Sequence, residues 1–129
     1  MHQWFGHVRD YEIDMQGVVN NAQYLHYFEH ARHTMLREYG IDFADWHCRK
    51  LDFVLVEANL LYKKPLRSGN EFSIATTMKQ QGRVRLHIQQ LLYNSQNELM
   101  TPSNFRATCI DTQRGKACLP AELLMLLNR

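Results

Sequence analysis

No stretch of this sequence approaches the ~20 consecutive apolar residues that a membrane-spanning helix needs. The first residues, Met1-His2-Gln3-Trp4-Phe5-Gly6-His7, lack a basic segment followed by an apolar one, so no signal peptide is expected. Cysteine is scarce. Cys48, Cys109 and Cys118 are odd in number and contain no CxxC pair, which fits neither a disulfide framework nor a thiolate metal site. The reading is a reduced, cytoplasmic protein. Net charge is only +2, without the dense basic stripe of a nucleic-acid binder. Its small excess of Lys and Arg suits a small anionic ligand. Repeats, low-complexity tracts and linkers are missing as well, so residues 1–129 read as a single domain. With 45% hydrophobic and 22% charged residues, that domain is expected to fold rather than stay disordered.

Several chemistries are excluded in the same way. There is no GxSxG elbow and no cysteine in a nucleophile context. Phosphate-cradling glycine loops, HExxH and calcium-loop patterns are also absent. No metal and no cofactor is expected.

What is present is organised. Residues 3–12 are rich in aromatic and β-branched types and read as a first strand. A loop, Asp14 to Asn21, contains Gly17 and ends on Asn20 and Asn21, either of which suits a helix N-cap. From Ala22 to Tyr39, Leu25, Phe28, Ala31, Met35, Leu36 and Tyr39 recur at three- and four-residue spacing, which predicts one amphipathic helix stopped by Gly40. Alternation then predicts strands: Val54, Val56, Ala58, Leu60 and Tyr62; Phe72, Ile74, Thr76 and Met78; Val84, Leu86, Ile88 and Leu92; and a last one over roughly 98–111. Turns fall at Arg67–Asn70, Gln81-Gly82 and Asn94–Asn97. Pro102 predicts a bulge or an edge in the last strand, and residues 121–127 a short helix or a strand extension. A long helix followed by an antiparallel meander is an α+β layout, with a sheet that wraps the helix.

The most specific segment is Tyr11-Glu12-Ile13-Asp14-Met15-Gln16-Gly17-Val18-Val19-Asn20-Asn21-Ala22-Gln23-Tyr24, continuing through Phe28-Glu29-His30-Ala31-Arg32. It fixes an Asp, a Gly three residues later, an Asn-Ala-x-Tyr, and a Phe-Glu-x-Ala-Arg helix. This pattern resembles the 4-hydroxybenzoyl-CoA thioesterase family of hotdog proteins. The likeness continues more loosely through Tyr62-Lys63-Lys64-Pro65-Leu66-Arg67-Ser68-Gly69 and Phe105-Arg106-Ala107 to Asp111. It implies a hotdog fold, a long central helix wrapped by a curved antiparallel sheet of about five strands. It also implies a homodimer, often paired into a homotetramer, that hydrolyses acyl-CoA to free acid and coenzyme A.

By resemblance, Asp14 is the catalytic carboxylate and the Asn21 backbone N–H donates to the oxyanion. Gly17, Val18, Asn20, Tyr24 and Glu29 fall at substrate-binding positions. Many relatives carry His or Tyr where this chain has Asn21, and an aromatic residue at Asn20. A backbone donor survives such a change, but the shape of the acyl pocket does not follow from it. Lys63, Lys64, Arg67, Arg83 and Arg85, beside turns, are candidates for coenzyme A phosphates, although such residues commonly serve solubility alone. Glu12 reads as a strand-end charge or a partner of the site. His26, His30 and His33 lie along one helix flank, where the polar face of an amphipathic helix explains them without a metal. Tyr24 and Phe53 fit an aryl group, a fatty acyl group or ordinary core packing. The alternatives are an acyl carrier protein as acyl donor, a non-catalytic acyl-CoA-binding module, and a hotdog dehydratase. The last is disfavoured because no His occupies the loop-to-helix motif.

Overall fold

The computed structural model describes residues 1–127. Asn20, extended at φ −60° and ψ 138°, caps helix α1 (Asn21–Glu38) by accepting the Ala22 N–H at 2.9 Å. Gly40, at φ +92°, occupies the left-handed conformation that ends it. The helix buries Tyr24, Tyr27, Phe28, Ala31, Arg32, Met35 and Leu36. Leu25 and Tyr39, expected on that face, are each 43% exposed, Tyr39 as the C-cap just beyond the helix.

The strands are β1 (His2–His7), β2 (Leu51–Leu60), β3 (Glu71–Gln80), β4 (Leu86–Asn94), β5 (Leu99–Asp111) and β6 (Lys116–Cys118). All pairings are antiparallel, in the order β1-β3-β4-β5-β2, with the short β6 pairing β5. The sheet curls around α1, with Phe28 of the helix packing on Phe105 of β5 at 5.7 Å. This is the expected hotdog arrangement, with a sixth short strand. Two small helices, α2 (Phe43–Cys48) and α3 (Ala121–Leu127), complete it. The helical alternative thus holds for residues 121–127, whereas α2 and β6 lie outside the expected elements.

Three local expectations change. The first strand stops at His7, and Asp10–Glu12 curl into a single 3₁₀ turn because the Glu12 carboxylate takes the Arg9 N–H at 2.8 Å. In β2 a bulge between Leu55 and Glu57 leaves Val56 without a partner on β5. Leu55 pairs Ala107 before the bulge and Ala58 pairs Phe105 after it, so Leu51, Phe53 and Leu55, then Ala58 and Leu60, share one face. Of these, Leu51, Phe53 and Leu60 pack on the core while Leu55 and Ala58 stay exposed. The continuous Val54–Tyr62 face is therefore split. In β5 the irregularity falls at Met100, since Leu92 pairs Thr101 while Tyr93 pairs Leu99, two residues before Pro102.

The core also holds a polar centre. Gln90 is fully buried on β4; its Nε2 donates to the Phe28 carbonyl and to Thr76 Oγ1, both at 3.0 Å. Its Oε1 accepts from Arg32, also at 3.0 Å, and that guanidinium lies 4.6 Å over the Phe105 ring. Burial lowers the Arg32 pKa to about 10.

Buried acids make stability depend on alkaline pH. Burial, with Cys118 nearby, pushes the Cys109 thiol up to about 12, and burial together with the Glu12 bond raises the Tyr27 hydroxyl further still. Unfolded, such groups lose their protons near ~8.5 and ~10, while the folded chain keeps them. The unfolded state then binds fewer protons, so stability falls as pH rises from about 8.5. Arg32 opposes this only above about 10. The urea midpoint is expected to be lower at pH 10 than at pH 8; equal midpoints would contradict this account.

Candidate active site

The loop before α1 closes on itself. Ile13 bridges Val19, the Asp14 N–H donates to the Val18 carbonyl at 2.8 Å, and the Gly17 N–H donates to the Asp14 carbonyl at 3.1 Å. Gly17 takes φ +78°, a conformation that L side chains resist. The half-buried Asp14 supports the turn as well: its Oδ1 accepts the Gln16 N–H at 2.9 Å and the Val18 N–H at 3.4 Å. Oriented so that its amide donates, Gln16 also reaches Asp14 Oδ2 at 3.1 Å. The aspartate is thus a loop-former by one oxygen, while its other oxygen receives no backbone donor among the described residues.

Val19 fixes the loop to the rest of the chain. It is buried, and its N–H donates to the Leu66 carbonyl at 2.9 Å. The Asn20 side chain is committed to the cap. Asn21 opens the helix, and its N–H has no acceptor among the described residues, as first-turn amides generally lack one. The positive end of the helix dipole adds to that donor. Tyr62 donates its hydroxyl to the Asn21 carbonyl at 3.4 Å, and its ring packs edge-on to Tyr24 at 5.3 Å. Tyr24 itself is 2% exposed, and its oxygen accepts the Leu66 N–H at 3.2 Å. Desolvation raises its pKa. Tyr24 therefore sits under the site as the anchor of the 61–70 segment.

Glu12 proves to be the best-bonded carboxylate nearby. It is buried, and its oxygens accept the Arg9 N–H (2.8 Å), the Tyr27 hydroxyl (2.7 Å), the Gln23 amide (3.0 Å) and the Arg9 guanidinium (3.4 Å). The Glu12 carbonyl also receives the Asn20 N–H at 3.0 Å. One residue thus ties the 3₁₀ turn to both the loop end and the helix. Arg9 donates to Glu12 from both its N–H and its guanidinium, while the Glu12 N–H donates back to the Arg9 carbonyl at 3.0 Å. Gln16 carried no sequence signal for its place over Asp14.

Other predicted residues are not gathered here. Glu29 is exposed, eight residues and so ~12 Å of helix beyond Asn21. It borders a groove of about 320 Å³ with Trp4, Arg9, His26, His30 and Arg37. The imidazoles do separate jobs: His30 packs edge-on to Trp4 at 4.9 Å and His33 edge-on to Phe43 at 5.0 Å. Burial lowers the His33 pKa. Phe53 packs on Phe43 at 5.6 Å, away from the loop.

The five candidate cations divide into two groups. Lys63, Lys64 and Arg67 lie on the segment that Val19 and Tyr62 join to the loop, with Lys64 paired to Glu98. Arg83 and Arg85 lie in the turn at the far end of β3, whose ten residues span roughly 30 Å. Within one chain, no single phosphate site unites them.

Comparison with known proteins places the chain in a family. The model of the thioesterase-like superfamily matches residues 8–126. A chloroplastic acyl-acyl carrier protein thioesterase of Arabidopsis thaliana is 34% identical over 91 residues, covering 70% of this chain and 48% of the relative. This chain thus spans about half the length of that relative. A long-chain acyl-CoA thioesterase of Escherichia coli is 28% identical, covering 85% of this chain and 83% of its own. Among solved structures, a protein of Aquifex aeolicus superposes with a TM-score of 0.90 at 26% identity, covering 98% of this chain and 99% of the other. Fold and sequence agree, and the chain belongs to the thioesterase-like superfamily.

Proposed function

We propose that this chain hydrolyses acyl-CoA thioesters to a free acid and coenzyme A. What supports the reading is that a closed loop carries Asp14, with one carboxylate oxygen free of backbone donors, and runs directly into the unengaged Asn21 N–H at the start of α1. A thioester carbonyl between them meets both things its hydrolysis needs. Asp14 attacks the carbonyl carbon or takes a proton from an attacking water. The carbonyl oxygen, becoming negative, is held by the Asn21 N–H and the helix dipole. Collapse of the adduct expels the coenzyme A thiolate, which takes up the proton lost by water. Where Asp14 itself attacks, water then cleaves the acyl–Asp14 anhydride to release the acid and restore the carboxylate. Gly17 and Val18 shape the loop, Asn20 keeps the amide exposed by capping its neighbour, and Tyr24 floors the site.

The remaining contacts belong to an assembly. Strand β2 is a sheet edge with exposed Leu55 and Val56 at its bulge, and such an edge favours pairing with a second copy. We infer a cytoplasmic homodimer through β2, paired further into a homotetramer. There, Glu29 and the Arg83 and Arg85 turn of one chain approach the loop of another, while Lys63, Lys64 and Arg67 serve the coenzyme A phosphates from the same chain. Val56→Asp is expected to shift the mass measured by light scattering towards the monomer. A monomeric wild-type protein would remove this part of the proposal.

The test is thiol release from a panel of aryl, short-chain and long-chain acyl-CoA substrates. At least one member is expected to turn over about 10²-fold or more above background. Failure of every member would end the reading. The likeness to the Arabidopsis enzyme favours a second donor, so the preferred acyl group is also to be presented on acyl carrier protein. A higher kcat/KM there would reassign the donor and leave the chemistry intact.

A further inference from the structure

Cys109 of β5 and Cys118 of β6 are direct partners across an antiparallel pair. Directly opposed residues share one face of a sheet, with Cα atoms about 4.5–5.5 Å apart. A disulfide needs a Cα separation of roughly 4.4–6.8 Å, so strand pairing alone brings the two thiols within bridging range. Both turn towards the core: Cys109 is fully buried, and Cys118 packs, partly buried, against the same cluster. Cys48, by contrast, is exposed and lies on α2.

We propose that Cys109 and Cys118 form a reversible disulfide that fastens the C-terminal arm to the sheet, with a low-molecular-weight disulfide as oxidant. The more accessible Cys118 reacts first. Its thiolate attacks one sulfur of the small disulfide, whose S–S bond breaks, and one small thiol departs with the proton that Cys118 gave up. The Cys109 thiolate then attacks the Cys118 sulfur of the mixed disulfide and expels the second small thiol. Two electrons and two protons leave the protein and appear on the two small thiols. Burial raises the pKa of both protein thiols, Cys118 with a further contribution from the Asp111 charge. Exchange is therefore slow, and the pair responds to a sustained oxidising poise rather than a brief one.

The location gives the bond a consequence. Strand β6 has three residues, and beyond it the arm is held chiefly by α3, whose Leu123 is fully buried. Leu123 and Leu126 of α3 close a cavity of about 310 Å³ against Met35, Tyr39 and Met78. A cross-link at the root of this arm limits its opening.

The experiment equilibrates the full chain with reduced and oxidised glutathione at a series of ratios, then alkylates, digests and weighs the peptides. A Cys109–Cys118 peptide is expected at the oxidising end, reversed by dithiothreitol, with a melting temperature higher on the order of 5 °C. Cys48→Ser is expected to keep both effects, and Cys118→Ser, at the more accessible position, to lose both while remaining folded. The proposal fails if glutathione remains on Cys118 without forming the internal link. It also fails if only Cys48 reacts, or if Cys48→Ser abolishes the shift.

Discussion

Asp14→Asn is expected to lower kcat by about 10³-fold on the best acyl-CoA substrate, with KM changed little. The two side chains have the same shape, and asparagine keeps the oxygen that accepts the Gln16 and Val18 N–H groups. The loop therefore stays closed and the Asn21 N–H keeps its place. What disappears is the negative charge that, in the proposed mechanism, attacks the carbonyl or accepts a proton from water. General-base roles are worth about 10²–10⁴ in rate, and a 10³-fold loss corresponds to about 4 kcal/mol of barrier. An unchanged melting temperature beside the lost turnover would confine the effect to chemistry. Activity within a few-fold of wild type would remove Asp14 from the mechanism and leave it only its turn.

The converse is expected of Glu12→Ala, which should reduce stability by about 3 kcal/mol. Glu12 is the buried meeting point of a tyrosine hydroxyl, an amide, a backbone N–H and a guanidinium. Truncation strands the Tyr27 hydroxyl and the Arg9 N–H without acceptors, and buried donors left unpaired cost about 1–3 kcal/mol each. Tyr27→Phe removes only one of the four donors and is expected to cost about 1 kcal/mol. The double variant should therefore lose less than the sum of the two. Denaturant unfolding of the four proteins measures this, and strict additivity would show that the Glu12–Tyr27 bond carries no weight. Residual kcat in folded Glu12→Ala should exceed that of Asp14→Asn, because Glu12 acts by holding the loop against the helix.

The two carboxylates, two residues apart, show what the sequence made legible. Helix α1 was readable because its signals are local: an asparagine cap, a three-and-four periodicity and a glycine stop. The Asp14 loop was readable because its residue types and spacing are distinctive. Glu12 was harder, since its partners Gln23 and Tyr27 belong to a helix whose docking no local pattern records. The bulge at Val56 escaped for a related reason. Alternation tells which residues share a face only while pairing remains in step, and the step is set by β5. Helix α2 is too short, at six residues, to express a period. The five cations looked like one group because all flank turns, yet turns at opposite ends of a long strand stand far apart.

Gln90 has a mechanical consequence. A helix lying on an apolar sheet can slide or roll, because one methyl contact replaces another at small cost. A hydrogen bond to one particular carbonyl does not translate in that way. By gripping Phe28 O and Arg32 from β4, the buried carboxamide indexes α1 along its own axis. Slippage by one turn, about 5.4 Å, would break both bonds inside the core. The first amide of the helix is thus kept at one height above the loop, and in the proposed mechanism the gap offered to a carbonyl is set by a side chain of the core.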